Sequence, residues 1–430
     1  MKISPARTAA FDILLRIDRE RAFSSVLLPM HESRLSQTDA SLCHELTLGT
    51  LRRQIYLDRI IDHLASGRKV DMEVRIALRL ALYQLNYLDK VPQYSAINES
   101  VNLVQRAKKT SAKGFVNAIL RRATREELVL SFLDEVDRIS VETSHPKWLI
   151  EKWISEFGLE DATNLAAANN QIPNIAFRMT GRVSDEALLL VDHSRPSEHV
   201  QACYIAERGE PKLFELAENG EIYIQDEASQ MAARSVDVPD GGRFLDVCAA
   251  PGGKTGLIAA RNSAHVKLVA AGDLHRPRVE YLRDNCRHQG VDFVQIVQYD
   301  AERSMPFANH TFDSVLVDAP CSGTGTIRSN PEIRYFLAPE DFKELPKKQL
   351  AIVTNASKMV RSGGSLIYST CSLEKEENED VCRQFLLQNI EFQRVKPNVP
   401  ESFFTNDGFV RTWPHRDNMD GFFIAAFKRS

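Results

Sequence analysis

The first third of the chain repeats apolar residues at spacings of three and four, the period of an amphipathic helix. Successive runs of this kind are Phe11, Leu14 and Leu15, then Leu57, Ile60, Ile61 and Leu64, then Leu78, Leu82 and Leu85. The interruptions, such as Pro29 and residues 89–93, fall between these runs, where loops are expected. Residues 5–135 are therefore predicted to be entirely helical.

The pattern becomes mixed between residues 140 and 225. The segments with helical spacing are 145–157, 160–170 and 184–193, whereas 174–180 favours a strand. This mixture predicts a small α/β subdomain. Neither Trp148 nor Trp153 lies in an alternating strand, so both are predicted to anchor the core rather than to stack on bases.

From residue 240 onward, short apolar runs alternate with helical segments. The runs are 243–248, 267–273, 291–298, 312–319 and 365–371. Because they are apolar on both faces and separated by crossovers, they predict a mostly parallel, doubly wound, Rossmann-like α/β sheet. The strand-like end of the chain, 420–430, is predicted to close the sheet as an antiparallel edge. The expected domains are an all-helical domain 1–138, a linking α/β subdomain 139–225 and a sheet domain 226–430.

Composition adds limits to this scheme. The length of 430 residues exceeds what one hydrophobic core usually supports, which agrees with several domains. With 43% hydrophobic and 26% charged residues, no apolar run of about 18 residues and no signal-peptide core in residues 1–5, we expect a cytoplasmic protein without a membrane span. The seven cysteines form no Cys-x-x-Cys pair, so we predict neither a disulfide framework nor a metal site. We expect a monomer.

Charge is distributed unevenly along the chain. Residues 1–140 contain 22 Lys and Arg against 17 Asp and Glu, a net +5 within a total of −4. The excess is greatest in 105–125, a stretch without any acidic residue whose cations are Arg106, Lys108, Lys109, Lys113, Arg121, Arg122 and Arg125. Such a stretch is a candidate for contacts with nucleic-acid phosphates, but charge alone is equally compatible with a solvated helix face.

The helical region also carries a recognisable motif. Its sequences RIALRLALYQLNYLDKVPQYSAINESVNLVQRA (75–107) and GFVNAILRR (114–122) resemble the antitermination factor NusB, a small helical RNA-binding domain. The resemblance covers most of residues 1–135. It implies RNA as a partner and favours phosphate contacts for the basic stretch.

The first strand-to-helix turn of the sheet domain is DVCAAPGGKTG, residues 246–256. Ligands of doubly wound sheets bind beyond the carboxyl ends of the strands, and here Gly252 and Gly253 allow the main chain to approach a ligand closely, next to Lys254. A Walker phosphate loop would require glycine where Cys248 stands, and the dinucleotide fingerprint is absent. NTP hydrolysis and NAD chemistry are therefore disfavoured.

Two acidic residues end the strands that follow. Asp273 ends the second strand and could accept hydrogen bonds from both hydroxyl groups of a ribose, and Asp300 ends the third and could reach an adenine amino group. A glycine turn followed by two such carboxylates is the arrangement expected for S-adenosylmethionine. Taken singly, either aspartate could instead be a helix cap or a turn residue.

Two cysteines end the next apolar runs. Cys321 follows Asp318 in VLVDAPC, and Cys371 ends LIYSTC, both in polar turns at the expected ligand edge. A thiolate that adds to carbon 6 of a pyrimidine makes carbon 5 nucleophilic toward a methyl donor, and a second acid/base group can help to undo the adduct. The alternative is packing, which is the better interpretation for Cys248, Cys286 and Cys382. These residues alone do not decide which thiol attacks.

Five motifs together resemble the RNA cytosine-5 methyltransferases: QDEASQMAA (225–233), DVCAAPGGKT (246–255), DAPCSGTGTIRSNPEIR (318–334), YSTCSLEKEEN (368–378) and DGFFIA (420–425). The resemblance implies that Cys371 is the nucleophile and that Cys321 assists product release. It also implies that Cys248, Ala249, Ala250, Pro251, Gly252, Gly253 and Lys254 hold the methionine part of S-adenosylmethionine. Asp273 would hold the ribose, Asp300 the adenine, and Asp318 would border both cofactor and target base.

The NusB-like region points, by resemblance only, to small-subunit ribosomal RNA as the substrate. Transfer RNA is the alternative substrate, because related enzymes share the catalytic motifs. A different class of function is an RNA-binding module that has lost catalysis. The intact cysteine pair and cofactor turn argue against that class.

Overall fold

The computed structural model describes residues 3–182, 184–207, 210 and 212–430, so residues 1 and 2 of the amino-terminal segment considered above lie outside it. The chain forms two compact units. The first comprises Met1–Gln171 and Ile327–Leu337, and the second comprises Ile172–Thr326 and Ala338–Ser430.

The first unit is helical, as predicted. Its helices are α1 (Pro5–Glu20), α2 (Ser24–Glu32), α3 (Gln37–Arg52), α4 (Gln54–Ala65), α5 (Met72–Tyr87), α6 (Gln93–Arg106), α7 (Lys113–Ala123), α8 (Glu135–Thr143), α9 (Lys147–Phe157) and α10 (Leu159–Ala168). Ser4 caps α1 by accepting a hydrogen bond from the Arg7 amide, with Pro5 in the first turn. Trp153 is fully buried, in agreement with its predicted role as a core anchor.

The second unit begins with the linking subdomain. Its elements are β1 (Ala176–Met179), α11 (Asp185–Asp192), β2 (Arg195–Pro196), β3 (Tyr204–Ile205), α12 (Leu213–Glu218) and β4 (Ile222–Ile224). The strands form an antiparallel sheet in the order β2-β3-β1-β4. Phe177, Leu190 and Leu216 are buried between this sheet and its helices. This confirms the predicted α/β character of the region.

The rest of the second unit is a helix-covered sheet. Its elements are α13 (Glu227–Arg234), β5 (Arg243–Asp246), α14 (Gly253–Asn262), β6 (Leu268–Asp273), α15 (Arg276–His288), β7 (Gln295–Gln298), β8 (Phe312–Asp318), α17 (Asp341–Ser357), β9 (Val360–Thr370), α18 (Glu379–Gln388), β10 (Phe392–Val395), β11 (Val410–Arg411), α19 (Pro414–Asp417) and β12 (Phe423–Arg429). The strand order is β10-β12-β9-β8-β5-β6-β7, with β11 paired to β12. All pairs from β9 to β7 are parallel. The predicted Rossmann-like fold is confirmed.

The predicted place of the last strand in the sheet was wrong. Residues 420–430 were predicted to form an antiparallel edge, and β12 is indeed antiparallel to β9. It is not an edge, however, because Phe392–Val395 pairs along its other side. That outer strand has four residues, of which only Phe392 is fully buried, so it left no clear apolar run in the sequence.

The segment Ile327–Leu337 leaves the second unit directly after the turn that contains Cys321. It carries the short helix α16 (Ile333–Phe336) and is part of the first unit. The Tyr335 hydroxyl donates to the Leu51 carbonyl at 2.6 Å, and the Phe336 ring makes an edge contact with Phe23. A sequence motif that begins at the sheet therefore ends inside the helical unit.

Two buried charges hold this segment in place. The Glu332 carboxylate accepts from the Ser24 amide at 2.7 Å and the Ser24 hydroxyl at 2.8 Å, at the first turn of α2. The Arg334 guanidinium donates to the Thr143 carbonyl at 3.1 Å and the Asn169 carbonyl at 3.3 Å, where α8 and α10 end. An anion at a helix start and a cation at helix ends both match the helix dipole. Burial lowers the pKa of Arg334 to about 10.

The structure adds one observation on membranes. Among the residues described, none of the helices combines the length and the apolar character that crossing a bilayer requires. The cytoplasmic location, the monomeric state and the absence of a metal stay predictions. The boundaries of the three predicted domains also stay predictions.

Candidate active site

The turn between β5 and α14 is shaped by backbone geometry. Gly252 has φ +104°, in the left-handed region, and a Cβ atom there would lie 2.8 Å from the Leu282 side chain. The Ala249 amide donates to the Gly272 carbonyl at 2.8 Å, which fixes the turn beside the end of β6. Only glycine therefore suits position 252, and the main chain stays open to a ligand.

A carboxylate orients this turn from the neighbouring strand. Asp273, at the end of β6, accepts from the Ala250 amide at 3.3 Å and lies 3.3 Å from the Arg278 guanidinium. The structure therefore brings the predicted ribose ligand against the predicted methionine turn. Asp300 makes local contacts instead, with the Glu302 amide at 3.0 Å and Arg303 at 3.2 Å. These contacts match the alternative interpretation of Asp300 as a turn residue.

A further aspartate was missed in the sequence. Asp246 ends β5 and is 1% exposed. Its Oδ2 accepts from the Thr255 hydroxyl at 2.7 Å, whereas its Oδ1 is buried without a hydrogen-bond partner among the described residues. Burial, with the charges of Asp318 and Asp273, raises the pKa of Asp246 to about 7. The signal available in the sequence was its place at a strand end beside the glycine turn.

An ion pair links the turn to the next strand. The Lys254 ammonium lies 2.7 Å from Asp318 Oδ2, while the Ser369 hydroxyl donates to Asp318 Oδ1 at 2.8 Å. Burial disfavours the charged lysine, but attraction to Asp318 outweighs that cost and keeps the pKa of Lys254 above its ordinary value. The ammonium also lies 4.9 Å from the centre of the Phe422 ring. Lys254 is therefore a fixed cation at the carboxyl edge of the sheet.

The two candidate thiols are adjacent. Cys321 follows β8 and Cys371 follows β9, two parallel neighbours in which Asp318 pairs with Ser369. Their sulfur atoms lie 3.4 Å apart, and both cysteines are free and half-buried. The hydrogen bond to Cys371, together with burial and nearby carboxylates, raises the pKa of Cys321 well above its ordinary value. Cys321 therefore retains its proton when Cys371 is a thiolate.

The other cysteines differ from this pair. Cys286 and Cys382 are 1% and 2% exposed, which agrees with their predicted packing role. Cys248 is half-buried and packs against the core beneath the turn. It lies in the turn between β5 and α14, and burial raises the pKa of its thiol well above the ordinary value, which agrees with the predicted packing role.

Comparison with known proteins places this site in a family. The model described as "16S rRNA methyltransferase RsmB/F" matches residues 234–428, the NusB family model matches 4–125, and the RsmF/B-like ferredoxin-like domain model matches 145–190. The "Probable ribosomal RNA small subunit methyltransferase B" of Bacillus subtilis is 33% identical over all of both chains. The chain belongs to the ribosomal RNA small subunit methyltransferase B family. The Pseudomonas putida "Ribosomal RNA small subunit methyltransferase B" is 32% identical over 88% of each chain.

Solved structures support the fold of this family member. The crystal structure of PH0851 matches it with a TM-score of 0.84 at 24% identity, covering 100% of each chain. NSun6 from Pyrococcus horikoshii, determined with SFG, matches with a TM-score of 0.59 at 20% identity over 66% of this chain and 98% of its own. At these identities the likeness concerns the fold alone.

The cofactor of this methyltransferase is S-adenosylmethionine, and the residues present fit it. The cofactor carries a sulfonium and an ammonium group, and the unpartnered Oδ1 of Asp246 is a buried acceptor suited to a cation. Asp273 offers a carboxylate to hydroxyl groups, and Gly252 leaves space at the backbone. These carboxylates and the open backbone therefore fit a cationic nucleoside.

Arg178 is a second residue that sequence reasoning missed. It lies on β1 of the linking subdomain and is 1% exposed. Its guanidinium donates to the Gly253 carbonyl at 2.9 Å and to the side chains of Gln225 and Gln289 at 2.8 and 2.6 Å. Burial lowers the pKa of Arg178 to about 10. The subdomain thus supports the cofactor turn through contacts between residues far apart in sequence.

The predicted RNA-binding cations lie at the end of α6, in the connection that follows it, and along α7. Three are already paired with acids: Arg106 with Asp12 at 2.7 Å, Lys109 with Asp71 at 2.8 Å and Arg122 with Glu126 at 2.9 Å. The other three, Lys108, Lys113 and Arg121, form no ion pair with the residues that the structure describes. Lys108, Lys113 and Arg121 are therefore free to neutralise phosphates. The paired cations would first have to break an existing ion pair.

Proposed function

We propose that this protein transfers a methyl group from S-adenosylmethionine to carbon 5 of a cytosine in small-subunit (16S) ribosomal RNA, through a covalent cysteine adduct. The observation that carries the proposal is the pair of thiols 3.4 Å apart at the carboxyl edge of the sheet. A single buried cysteine would be explained by packing. Two adjacent thiols beside the Lys254–Asp318 ion pair are better explained by chemistry.

The chemistry follows from the weak nucleophilicity of carbon 5 in cytosine. Addition of a thiolate to carbon 6 breaks the 5,6 double bond and produces an enamine whose carbon 5 can attack an electrophile. S-Adenosylmethionine supplies the electrophilic methyl group. A base then removes the proton from carbon 5, the double bond forms again and the sulfur leaves carbon 6.

The roles of the two thiols rest on the family resemblance, with support from their surroundings. Cys371 is the proposed nucleophile, and attraction between its thiolate and the Lys254 ammonium contributes to the raised pKa of that lysine. Cys321 is the proposed acid/base group for release of the product. It gives its proton to the ring as Cys371 attacks carbon 6, its thiolate then removes the proton from carbon 5, and the ring proton passes to solvent when Cys371 leaves. Asp318 holds Lys254 and borders the target base.

The proposed cofactor contacts lie at the same carboxyl edge of the sheet. Residues 248–254 would hold the methionine part, Asp273 the ribose and Asp300 the adenine. Asp246 is a further proposed ligand, for the ammonium group. In the helical unit, Arg106, Lys108, Lys109, Lys113, Arg121 and Arg122 are the proposed contacts with RNA phosphates, with Lys108, Lys113 and Arg121 the strongest because they are unpaired.

The test is to map the missing methyl group. Ribosomal and transfer RNA from a strain that lacks this gene should be compared by bisulfite sequencing with RNA from the strain complemented by the wild-type gene or by Cys371→Ala. We expect one small-subunit cytosine to lose its mark and only the wild type to restore it. A mark lost from transfer RNA alone would support the alternative substrate. No lost mark in either RNA, together with S-adenosylmethionine binding by the purified protein, would favour a non-catalytic RNA-binding module.

A further inference from the structure

The Glu377 carboxylate lies between the two turns that carry the candidate thiols. Its Oε2 accepts from the Ser322 amide at 2.9 Å, and its Oε1 accepts from the Ser372 hydroxyl at 2.8 Å. Ser322 directly follows Cys321, and Ser372 directly follows Cys371. One side chain therefore bridges the residues next to both sulfur atoms.

Other hydrogen bonds complete this bridge. The Ser322 and Ser372 hydroxyls lie 3.1 Å apart. Gln349 Nε2 donates to Glu377 Oε2 at 2.8 Å and to the Pro320 carbonyl at 3.0 Å. The main-chain carbonyl of Glu377 accepts from the Tyr368 hydroxyl at 2.6 Å, so the bridging residue is itself fixed to β9.

The environment of Glu377 is unusual for a carboxylate. The residue is fully buried, and within the described ranges no lysine, arginine or histidine lies within ion-pair distance of it. An ionised group in such a place loses its hydration, which is strongly unfavourable unless donors replace the water. Three donors do so here, and charge-assisted hydrogen bonds are shorter and stronger than neutral ones. An apolar residue would pack equally well at this position, so packing does not explain the carboxylate.

The bridge has two consequences for the thiols. It fixes the spacing of the two turns, because both are hydrogen-bonded to the same carboxylate. Its negative charge also disfavours a second negative charge on Cys321, and it is among the causes that raise the pKa of that thiol, after the Cys371 hydrogen bond and burial. The geometry therefore keeps the two sulfur atoms adjacent, and the charge disfavours ionisation of Cys321.

We propose that Glu377 is a positioning residue that holds Cys321 and Cys371 at proton-exchange distance and keeps the shared proton on Cys321. This inference rests on the proposed function, since it matters only if the two thiols act in sequence. It gives Glu377, in the Glu-Glu-Asn turn that follows Cys371, a role that the sequence motif did not indicate. Glu377 is not proposed to contact substrate or cofactor.

The test is Glu377→Gln in the full-length protein. The amide has the same size but only one acceptor oxygen. Its NH2 group either faces the donors of Ser322 and Gln349 or donates to the Ser372 hydroxyl, and the negative charge is lost in both cases. We expect kcat to fall at least tenfold while KM for RNA and for S-adenosylmethionine changes less than twofold. The alkaline limb of the kcat profile should move to lower pH, because Cys321 loses its proton more easily without the nearby charge.

Two further variants separate the causes. Asp380→Asn removes the same charge from a partly exposed ion pair on α18 and should leave kcat and the pH profile unchanged. Ser372→Ala breaks one arm of the bridge but keeps the carboxylate, so kcat should fall severalfold without a shift of the alkaline limb. It also keeps the test decisive if Glu377→Gln does not fold.

The outcomes distinguish this inference from the proposed function. If Cys321→Ala traps a covalent RNA complex but Glu377→Gln and Ser372→Ala both retain wild-type kcat and pH profile, the positioning role is overturned and the covalent mechanism stands. If Cys321→Ala and Cys371→Ala are both fully active, the proposed function fails first. A uniform loss of kcat without any pH shift in Glu377→Gln would overturn the charge effect.

Discussion

The two thiols of the candidate site are chemically unequal although they are only 3.4 Å apart. Cys321 has a pKa raised by its hydrogen bond to Cys371, by burial and by carboxylates, whereas Cys371 is one of the groups that raise the pKa of Lys254. A thiolate is the stronger nucleophile, and a protonated thiol is the better acid. Single substitutions should therefore have different effects.

The first prediction concerns these substitutions. Cys371→Ala should leave RNA and cofactor binding intact but abolish methyl transfer and any covalent complex, because no other group activates carbon 5. Cys321→Ala should still attack but release product slowly, so that protein joined to RNA accumulates as a shifted band that survives denaturation. The band should require S-adenosylmethionine and disappear in the double variant. Trapping by Cys371→Ala instead would reverse the roles.

The second prediction concerns Asp246, whose pKa is about 7 in the protein without cofactor. A cation bound at its free oxygen favours the ionised form and lowers this pKa, so binding releases a proton and is stronger above pH 7. We expect the affinity for S-adenosylmethionine to fall about tenfold from near pH 8 to near pH 6. Calorimetry in buffers of different ionisation enthalpy measures the released proton. Asp246→Asn should bind more weakly at pH 8 and show a flat profile, whereas an unchanged slope would exclude Asp246.

At the scale of elements, the segment from the end of α6 through α7 presents cations that differ in availability. Replacement of Lys108, Lys113 and Arg121 by glutamine should weaken RNA binding and reduce the log-log salt slope by roughly one unit per lost phosphate contact. Cofactor affinity should not change. The matched control replaces the paired cations Arg106, Lys109 and Arg122, whose existing ion pairs should make the loss smaller. Equal slopes in wild type and the first variant would identify the stretch as an ordinary solvated face.

The elements also show what a sequence can and cannot specify. Helices with apolar spacing of three and four, and strands apolar on both faces, are local patterns, and the structure confirms both classes. The position of β12 inside the sheet depends on β10, which is too short and too exposed to be recognised alone. Cys321, Cys371 and Asp273 were identified because strand ends carry ligands in this fold. Glu377 and Arg178 were not, since their roles arise from contacts between distant segments.

At the scale of the whole molecule, the segment Ile327–Leu337 belongs to the helical unit although it follows the Cys321 turn in the chain. Loss of the Arg334 guanidinium would remove the donor to the Asn169 carbonyl and to Asn170 Oδ1, whereas the Thr143 carbonyl would keep the Asn170 amide as its donor. Hydrogen bonds to charged groups contribute about 1.5–3 kcal/mol each. We therefore predict that Arg334→Met destabilises the helical unit by about 3 kcal/mol or more.

Hydrogen exchange measures this effect by region, which suits a protein with two units better than one melting temperature. Protection should fall in α8, α10 and the segment itself, while the strands of the large sheet keep theirs. The control is Arg138→Met on α8, where both ion pairs are solvent-exposed and contribute little. The same loss of protection in both variants would mean that Arg334 is no anchor.

The passage of Ile327–Leu337 through the helical unit also imposes an order of events during synthesis. The amino-terminal helices α1 to α10 leave the ribosome first, but the segment whose Tyr335 and Phe336 pack against their core is made only after most of the sheet unit. At about 5–20 residues per second, the delay is on the order of ten to thirty seconds. During that interval the helical unit lacks part of its interior, and a nascent chain stopped before residue 327 can complete neither unit.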